Sequence, residues 1–471
     1  MKNQKSRFLA AILAAASLAS FSACGGGDEG GSAEGNDTTT TTTEATTTTE
    51  ATEWTGDNIE VTVAEEAKSD IDISGQTLKW MGFYDLNPTN DAPERSTEVA
   101  ILEDTYGAKI EYIPTTTDQQ YNDLATAVLG GTSPDIFVYD VRAFPYDISK
   151  GMYQPIDSIV DFNDPLWSDM KDMADKLMWN GEHYVAPFRY RFDDYVILMY
   201  NKNQVEELGL DDPFELYEQN KWDWDAFVKI MEDFQGGDTS LYGISGYWAQ
   251  LFVYTAGDSM VTWDGSKFTN NLASPKIEKA QNVIKRIKDE GLINPADWIN
   301  PDVAFTTGDT LFYGMGTWAY QGAAAAMPDA TIQIVPFPRN PDDEDYYMSK
   351  IIFSHMWVKG SENADAVKVW FDINRRVSTE EEYQKVSKEK FLANNSAWTS
   401  EMYDLVNSYS DDEKFKPAYE YGSGISETMA GDAGYVRGLY DCIYKGSYET
   451  WEQAREEFSN IFDSELEVYN S

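Results

Sequence analysis

Cysteine and histidine are scarce in this chain. Its 471 residues hold two of each, Cys24, Cys442, His183 and His355. So small a set excludes a disulfide framework and leaves little material for a zinc site or a histidine-based triad. No metal and no cofactor are expected, and each histidine reads most simply as a satisfied or exposed ring. Basic residues are also few, 36 against 81 acidic ones, for a formal charge of −45. A surface that acidic repels nucleic acid and anionic lipid head groups, so neither is an expected partner. Long apolar runs are missing except for one at 8–19, which follows Lys2, Lys5 and Arg7 and leads through small residues to Cys24. That run is too short for a permanent membrane span and marks a signal peptide over 1–23.

The ending FSAC, followed by GGG, resembles the lipobox of bacterial lipoproteins, with Phe21 standing where that motif prefers leucine. The resemblance implies that Cys24 is acylated and holds the chain to a membrane by its lipid. Cys442 is then a lone thiol, read as a small buried residue. From 24 to 70 the chain is Gly, Thr and Glu, including TTTTTTEATTTTEAT at 38–52. A segment with so few apolar residues cannot offset its chain entropy and reads as a disordered tether. Extended, it reaches on the order of 140 Å, enough to lift a domain into a cell wall, which suggests the outer face of a Gram-positive membrane.

Beyond residue 70 no second linker of that kind appears, and strand-like and helix-like segments alternate. TLKWMGF is a short apolar strand, STEVAILEDTYG a helix closed near Gly107, KIEYIP a strand, QQYNDLATAVLGG a helix closed by Gly130 and Gly131, and PDIFVYD a continuous apolar strand. Such alternation predicts α/β layers with right-handed crossovers. Four hundred residues exceed one comfortable core, so two lobes are expected.

Four segments in order carry a family likeness. They are GGTSPDIFVYD at 130–140, YVAPFRYRFDDYVILMYNKNQVEELGL at 184–210, KWDWDAFVKIMEDF at 221–234, and FTTGDTLFYGMGTWAY at 305–320 followed by SHMWVKGSENADAVKVWFDIN at 354–374. Together they resemble family 1 extracellular solute-binding proteins, the carbohydrate-capturing lipoproteins of ABC importers, maltose-binding protein among them. The resemblance implies a type II periplasmic-binding-protein-like fold: two discontinuous α/β lobes joined by a hinge, with the ligand cleft between them. It implies lobes over 71–188 plus 350–394 and over 189–349 plus 395–471. It also implies chain crossings near Pro187, Lys350 and Asn394, a carbohydrate ligand, and permease subunits as partners. The protein is expected to act as a monomer.

Several of these residues have plain structural readings. Asn201 is suited to cap the helix that Gly209 closes, and Asp223 to cap the helix begun by KWDWDAF, with Trp222 and Trp224 as packing. Open α/β sheets bind ligands at the carboxyl ends of their strands. Asp140, Arg142 and Tyr146 follow PDIFVYD there, as a ligand-facing set or as a solvated loop. Tyr84, Asp85 and Asn87 follow the first strand in the same way, and the resemblance gives that loop polar ligand contacts. Tyr247 and Trp248 sit where the family places an aromatic against the sugar. Trp318, two residues after Gly316, is either core or a stacking platform on a tight turn.

Capture by closure of two lobes around a bound solute is the mechanism the resemblance implies, with no bond made or broken. A surface-anchored glycoside hydrolase is the rival from another class, and it needs two carboxylates at a defined separation. No motif singles out such a pair among 81 acids. A third reading keeps the fold and exchanges the sugar for a polyamine or a peptide.

Overall fold

The computed structural model describes residues 68–89, 95–192, 195–295, 303–431 and 433–471. The expected signal peptide, the Cys24 anchor and nearly all of the 24–70 tether lie outside those residues. Among the described residues no helix is long and apolar enough to cross a membrane.

The first strands are β1 (Thr77–Gly82), β2 (Lys109–Pro114) and β3 (Ile136–Val138). β1 is central and pairs in parallel with both neighbours, Trp80 standing opposite Tyr112 and Ile136. Successive side chains point to opposite faces. Trp80 and Ile136 therefore enter one buried cluster, and Met81 and Phe137 enter another. Both faces of this sheet are covered, as its continuous apolar runs require.

The chain then crosses on β4 (Arg189–Tyr190) into β5 (Val196–Asn201) and β6 (Tyr242–Gly246). The hairpin β7 (Val261–Trp263) and β8 (Phe268–Asn270) comes next, then β9 (Thr310–Gly316) and β10 (Ile332–Val335). A second sheet runs β10-β5-β9-β6, parallel at the β6–β9 pair and antiparallel elsewhere. Alternation of helix and strand predicts layers, and it does not specify strand direction in this second sheet. After β11 (Tyr346–Met348) the chain returns on β12 (Ile352–Phe353), and β13 (His355–Trp357) joins the first sheet antiparallel to β3. β14 (Phe415–Pro417) pairs with β11. The two crossing strands pair with each other, Arg189 opposite Phe353 and Tyr190 opposite Ile352. A two-residue ladder thus links the sheets, short enough to bend.

Local chemistry sets the helix ends. The Asn201 side chain accepts from the backbone N–H groups of Asn203 and Gln204, and Gly209 closes that helix at φ 67°. Asp223 accepts from the Ala226 N–H and caps Trp224–Gln235. Trp222 and Trp224 are buried, donating to the Pro336 carbonyl at 2.7 Å and the Thr255 hydroxyl at 2.8 Å. His183 lies between Asp157 and Asp175, 2.7 and 3.0 Å from their carboxylate oxygens. Cys442 is buried, and burial pushes its thiol up to about 12, which makes it unreactive.

Gly246 ends β6 at φ 91°, and a Cβ there would stand 2.2 Å from the Gly314 carbonyl oxygen. Gly246→Ala is therefore expected to cost roughly 2 kcal/mol or more. A urea midpoint equal to that of the natural chain would contradict this close approach.

Candidate functional site

A cavity of about 460 Å³ opens where the two sheets face each other. From the first-sheet side it is walled by Tyr139, Asp140 and Phe144 beyond β3, with Met173 and Leu177. From the second-sheet side come Tyr247, Gln250 and Tyr254, around the helix Ala249–Tyr254. The 418–423 segment supplies Tyr419, Glu420 and Tyr421, and the crossing segments supply Arg191, Val196, Lys350 and Ile352 as the floor. Aromatic rings with polar edges dominate, a lining suited to a neutral polyhydroxylated guest with apolar C–H faces.

The charged groups in this lining are anchored. Glu420 accepts from the N–H groups of Met260, Val261 and Gly422 at 2.9, 3.2 and 2.8 Å, and from the Tyr440 hydroxyl. Burial raises its pKa, and those four donors oppose the rise. Lys350 has a fully buried side chain ion-paired to Asp412, with its Nζ 4.9 Å from the Tyr190 ring centre. Burial lowers its pKa against the pull of Asp412. The Tyr190 hydroxyl donates to Asp412 at 3.1 Å and lies 3.0 Å from the Tyr419 hydroxyl. A buried cation on the returning crossover therefore reaches the Tyr419 wall through Asp412 and Tyr190.

Of the residues expected from sequence, Asp140 and Tyr247 line the cavity. Asp140 also accepts the Arg142 N–H at 2.8 Å and so caps the 3-10 turn Val141–Ala143. Arg142 stands behind this wall, 4.2 Å from the Tyr121 ring centre and 5.1 Å from that of Tyr146. It pairs with Asp147 at 3.4 Å and Glu427 at 3.1 Å. Asp147 is pushed up to about 6 by burial, opposed first by Arg142. Tyr146 carries the Lys150 ammonium 3.5 Å from its ring centre.

The remaining expected residues lie outside the lining. Asp85 and Asn87 close their own turn, the Asn87 N–H and side-chain amide each donating to Asp85 Oδ1 at 2.9 Å. Tyr84 packs on Trp80 with ring centres 5.4 Å apart, and burial raises the pKa of its hydroxyl against the positive charges of Arg191 and Arg189. Trp248 is expected against the ligand, and the structure puts it in the core instead. It is 1% exposed, against Phe252 and Tyr444, because it stands at the start of the helix Ala249–Tyr254, one turn before the buried Phe252. Trp318 is 56% exposed, and its indole folds over Gly316, where a Cβ would stand 2.2 Å from Nε1. The ring is therefore on the surface rather than in the core, and it is not part of the cavity lining.

Sequence reading missed the 418–423 wall, Gln250, Tyr254 and Lys350. AYEYGSG at 418–424 combines aromatics and glycine as the 314–318 segment does, and that signal was present. Lys350 carried none, since a lysine reads as exposed. Among the described residues no cluster of His, Cys, Asp and Glu could hold a metal ion.

The model of bacterial extracellular solute-binding proteins matches residues 91–373. The chain belongs to that family. No curated protein matches this solute-binding protein. Solved structures similar to it include the cyclic α-maltosyl-1,6-maltose binding protein of Arthrobacter globiformis, 17% identical, covering 84% of this chain and 98% of that one at TM-score 0.59. The GacH receptor of Streptomyces glaucescens, solved unliganded and with acarbose, is 17% identical over 84% of this chain and 100% of its own, at TM-score 0.58. An ABC substrate-binding protein of Listeria monocytogenes in complex with cycloalternan is 15% identical over 83% and 98%, at TM-score 0.57. The solute-binding protein therefore has the type II periplasmic-binding-protein-like α/β fold, two discontinuous lobes with the cleft between them.

Proposed function

We propose that this protein captures an oligosaccharide outside the cell and hands it to the membrane subunits of an ABC importer, held to the membrane by lipid on Cys24. The observation that carries this reading is the aromatic cavity, walled from both sheets and floored by the ladder that joins them. A solute touching both walls stabilises the arrangement in which they are close, and that differential contact is what closes the lobes. Lobe boundaries at 188/189 and 349/350 fall beside β4 and β12, and a third falls at 394/395. Asp140 and Tyr247 contact the solute directly. Trp318, Tyr84, Asp85 and Asn87 serve a longer ligand beyond the cavity lining, while Arg142 and Tyr146 brace the Asp140 wall from behind. The relatives named above include a cyclic α-maltosyl-1,6-maltose binding protein and proteins solved with acarbose and with cycloalternan, which supports a sugar here.

Calorimetric titration with maltotetraose, lacto-N-biose and spermine tests the reading. Saturable one-site sugar binding is expected, with no new reducing ends after long incubation. Steady release of reducing ends would replace the reading with hydrolysis. Tyr421→Ala is expected to weaken sugar binding by about 2 kcal/mol and also to lower the unfolding midpoint, because that ring is buried against Phe144 and Phe268. Unaltered affinity in that variant would remove the 418–423 segment from the site.

A further inference from the structure

Behind the Tyr247 wall stands Arg437, on the helix Tyr435–Tyr440. Its guanidinium carbon lies 4.0 Å from the centre of the Tyr247 ring. One of its nitrogens donates to Gln250 Oε1, the same atom that accepts the Tyr247 hydroxyl at 2.6 Å. Its Nε donates to Asp441 Oδ2 at 2.9 Å. Asp441 is 2% exposed and also takes the Lys445 ammonium at 2.9 Å. An amide oxygen that accepts two donors leaves the Gln250 amide one orientation, in which its nitrogen donates to the Tyr254 hydroxyl at 2.8 Å. Three side chains that line the cavity are therefore tied to one cation.

We infer that Arg437 is a positioning residue for solute recognition, clamping the Tyr247 ring and the Gln250 amide in the arrangement the solute meets. The inference rests on the cavity being the solute site. A planar guanidinium fork can make all three contacts at once, one edge engaging Asp441, another Gln250, and the face covering the ring. A lysine ammonium keeps the attraction to the ring and loses the fork.

The test is titration of maltotetraose and lacto-N-biose into the natural chain, Arg437→Met, Arg437→Lys, Tyr247→Ala and the Tyr247→Ala/Arg437→Met double variant. Arg437→Met is expected to weaken binding about ten-fold, and Arg437→Lys to recover part of that loss. In the Tyr247→Ala background the same methionine change is expected to cost less than about two-fold, because the residue acts through the ring. A purely structural role would give equal losses in both backgrounds, and that result overturns the inference. So does full affinity in Arg437→Met alongside weakened Tyr247→Ala, an outcome that leaves the proposed function standing. A natural chain that binds neither sugar overturns the proposed function and this inference with it.

Discussion

Arg375→Ala is expected to lower the unfolding free energy by about 3–5 kcal/mol, the cost of two carbonyls left without their donor and of the void the side chain leaves. Arg375 lies on the helix Ala364–Thr379 with its side chain 1% exposed. Its Nε donates to the Leu166 carbonyl at 2.8 Å, a second nitrogen to the Phe188 carbonyl, and a third to Asp169. Alanine leaves two carbonyls without their donor and a void where the side chain ran. Phe188 immediately precedes the crossing strand Arg189–Tyr190, so the grip also anchors the start of that strand. Asp169 is 59% exposed and regains water when released, but Asp169→Asn leaves the buried guanidinium without its carboxylate, so it is expected to cost about 1–3 kcal/mol, less than Arg375→Ala. Urea unfolding of both variants checks the pair. Equal small losses would mean that the carbonyl contacts contribute little.

His355 sets the second large effect, through pH. The ring is fully buried, its Nδ1 accepting from the Trp370 indole at 2.8 Å, with Trp80, Phe188 and Phe353 packed around it. Burial, helped by the positive charge of Arg189, lowers its pKa to about 3, against about 6.5 in an unfolded chain. Below that unfolded value the unfolded state takes up a proton that the folded state refuses, so the stability difference is whole above it. It is then lost as pH falls toward the folded value. The expected slope is roughly 1.4 kcal/mol per pH unit between those values, several kcal/mol in all. Urea titrations at pH 7, 6, 5 and 4.5 are to be compared between the natural chain and His355→Gln, which keeps an acceptor for Trp370. The natural chain should lose stability faster by that slope, and parallel profiles would show that His355 titrates normally in the folded state.

The elements were largely legible because local rules govern them. KIEYIP is β2 residue for residue, and the Asn201 and Asp223 caps followed from side chains suited to accept orphan N–H groups. Trp222 and Trp224 read as packing from their place at a helix start. The cleft was legible in part. Asp140 follows from the rule for strand ends, whereas the 418–423 wall reaches the cavity from a distant stretch of chain that no local pattern connects to β3. Tyr247 and Trp248 illustrate the limit of neighbourhood. Adjacent aromatics at a strand end look alike in sequence, yet one faces the cavity and the other the core. Asp85 and Asn87 follow the same strand-end rule, yet they stand outside this lining, with Asn87 donating to Asp85 within their own turn.

Backbone amide exchange with and without bound sugar tests most directly the claim that one solute bridges two walls. Added sugar is predicted to slow exchange together in 139–144, 247–254, 349–352 and 418–423, segments contributed by both sheets and their crossing. Protection confined to one wall, or found elsewhere on the molecule, would contradict capture by closure of this cleft.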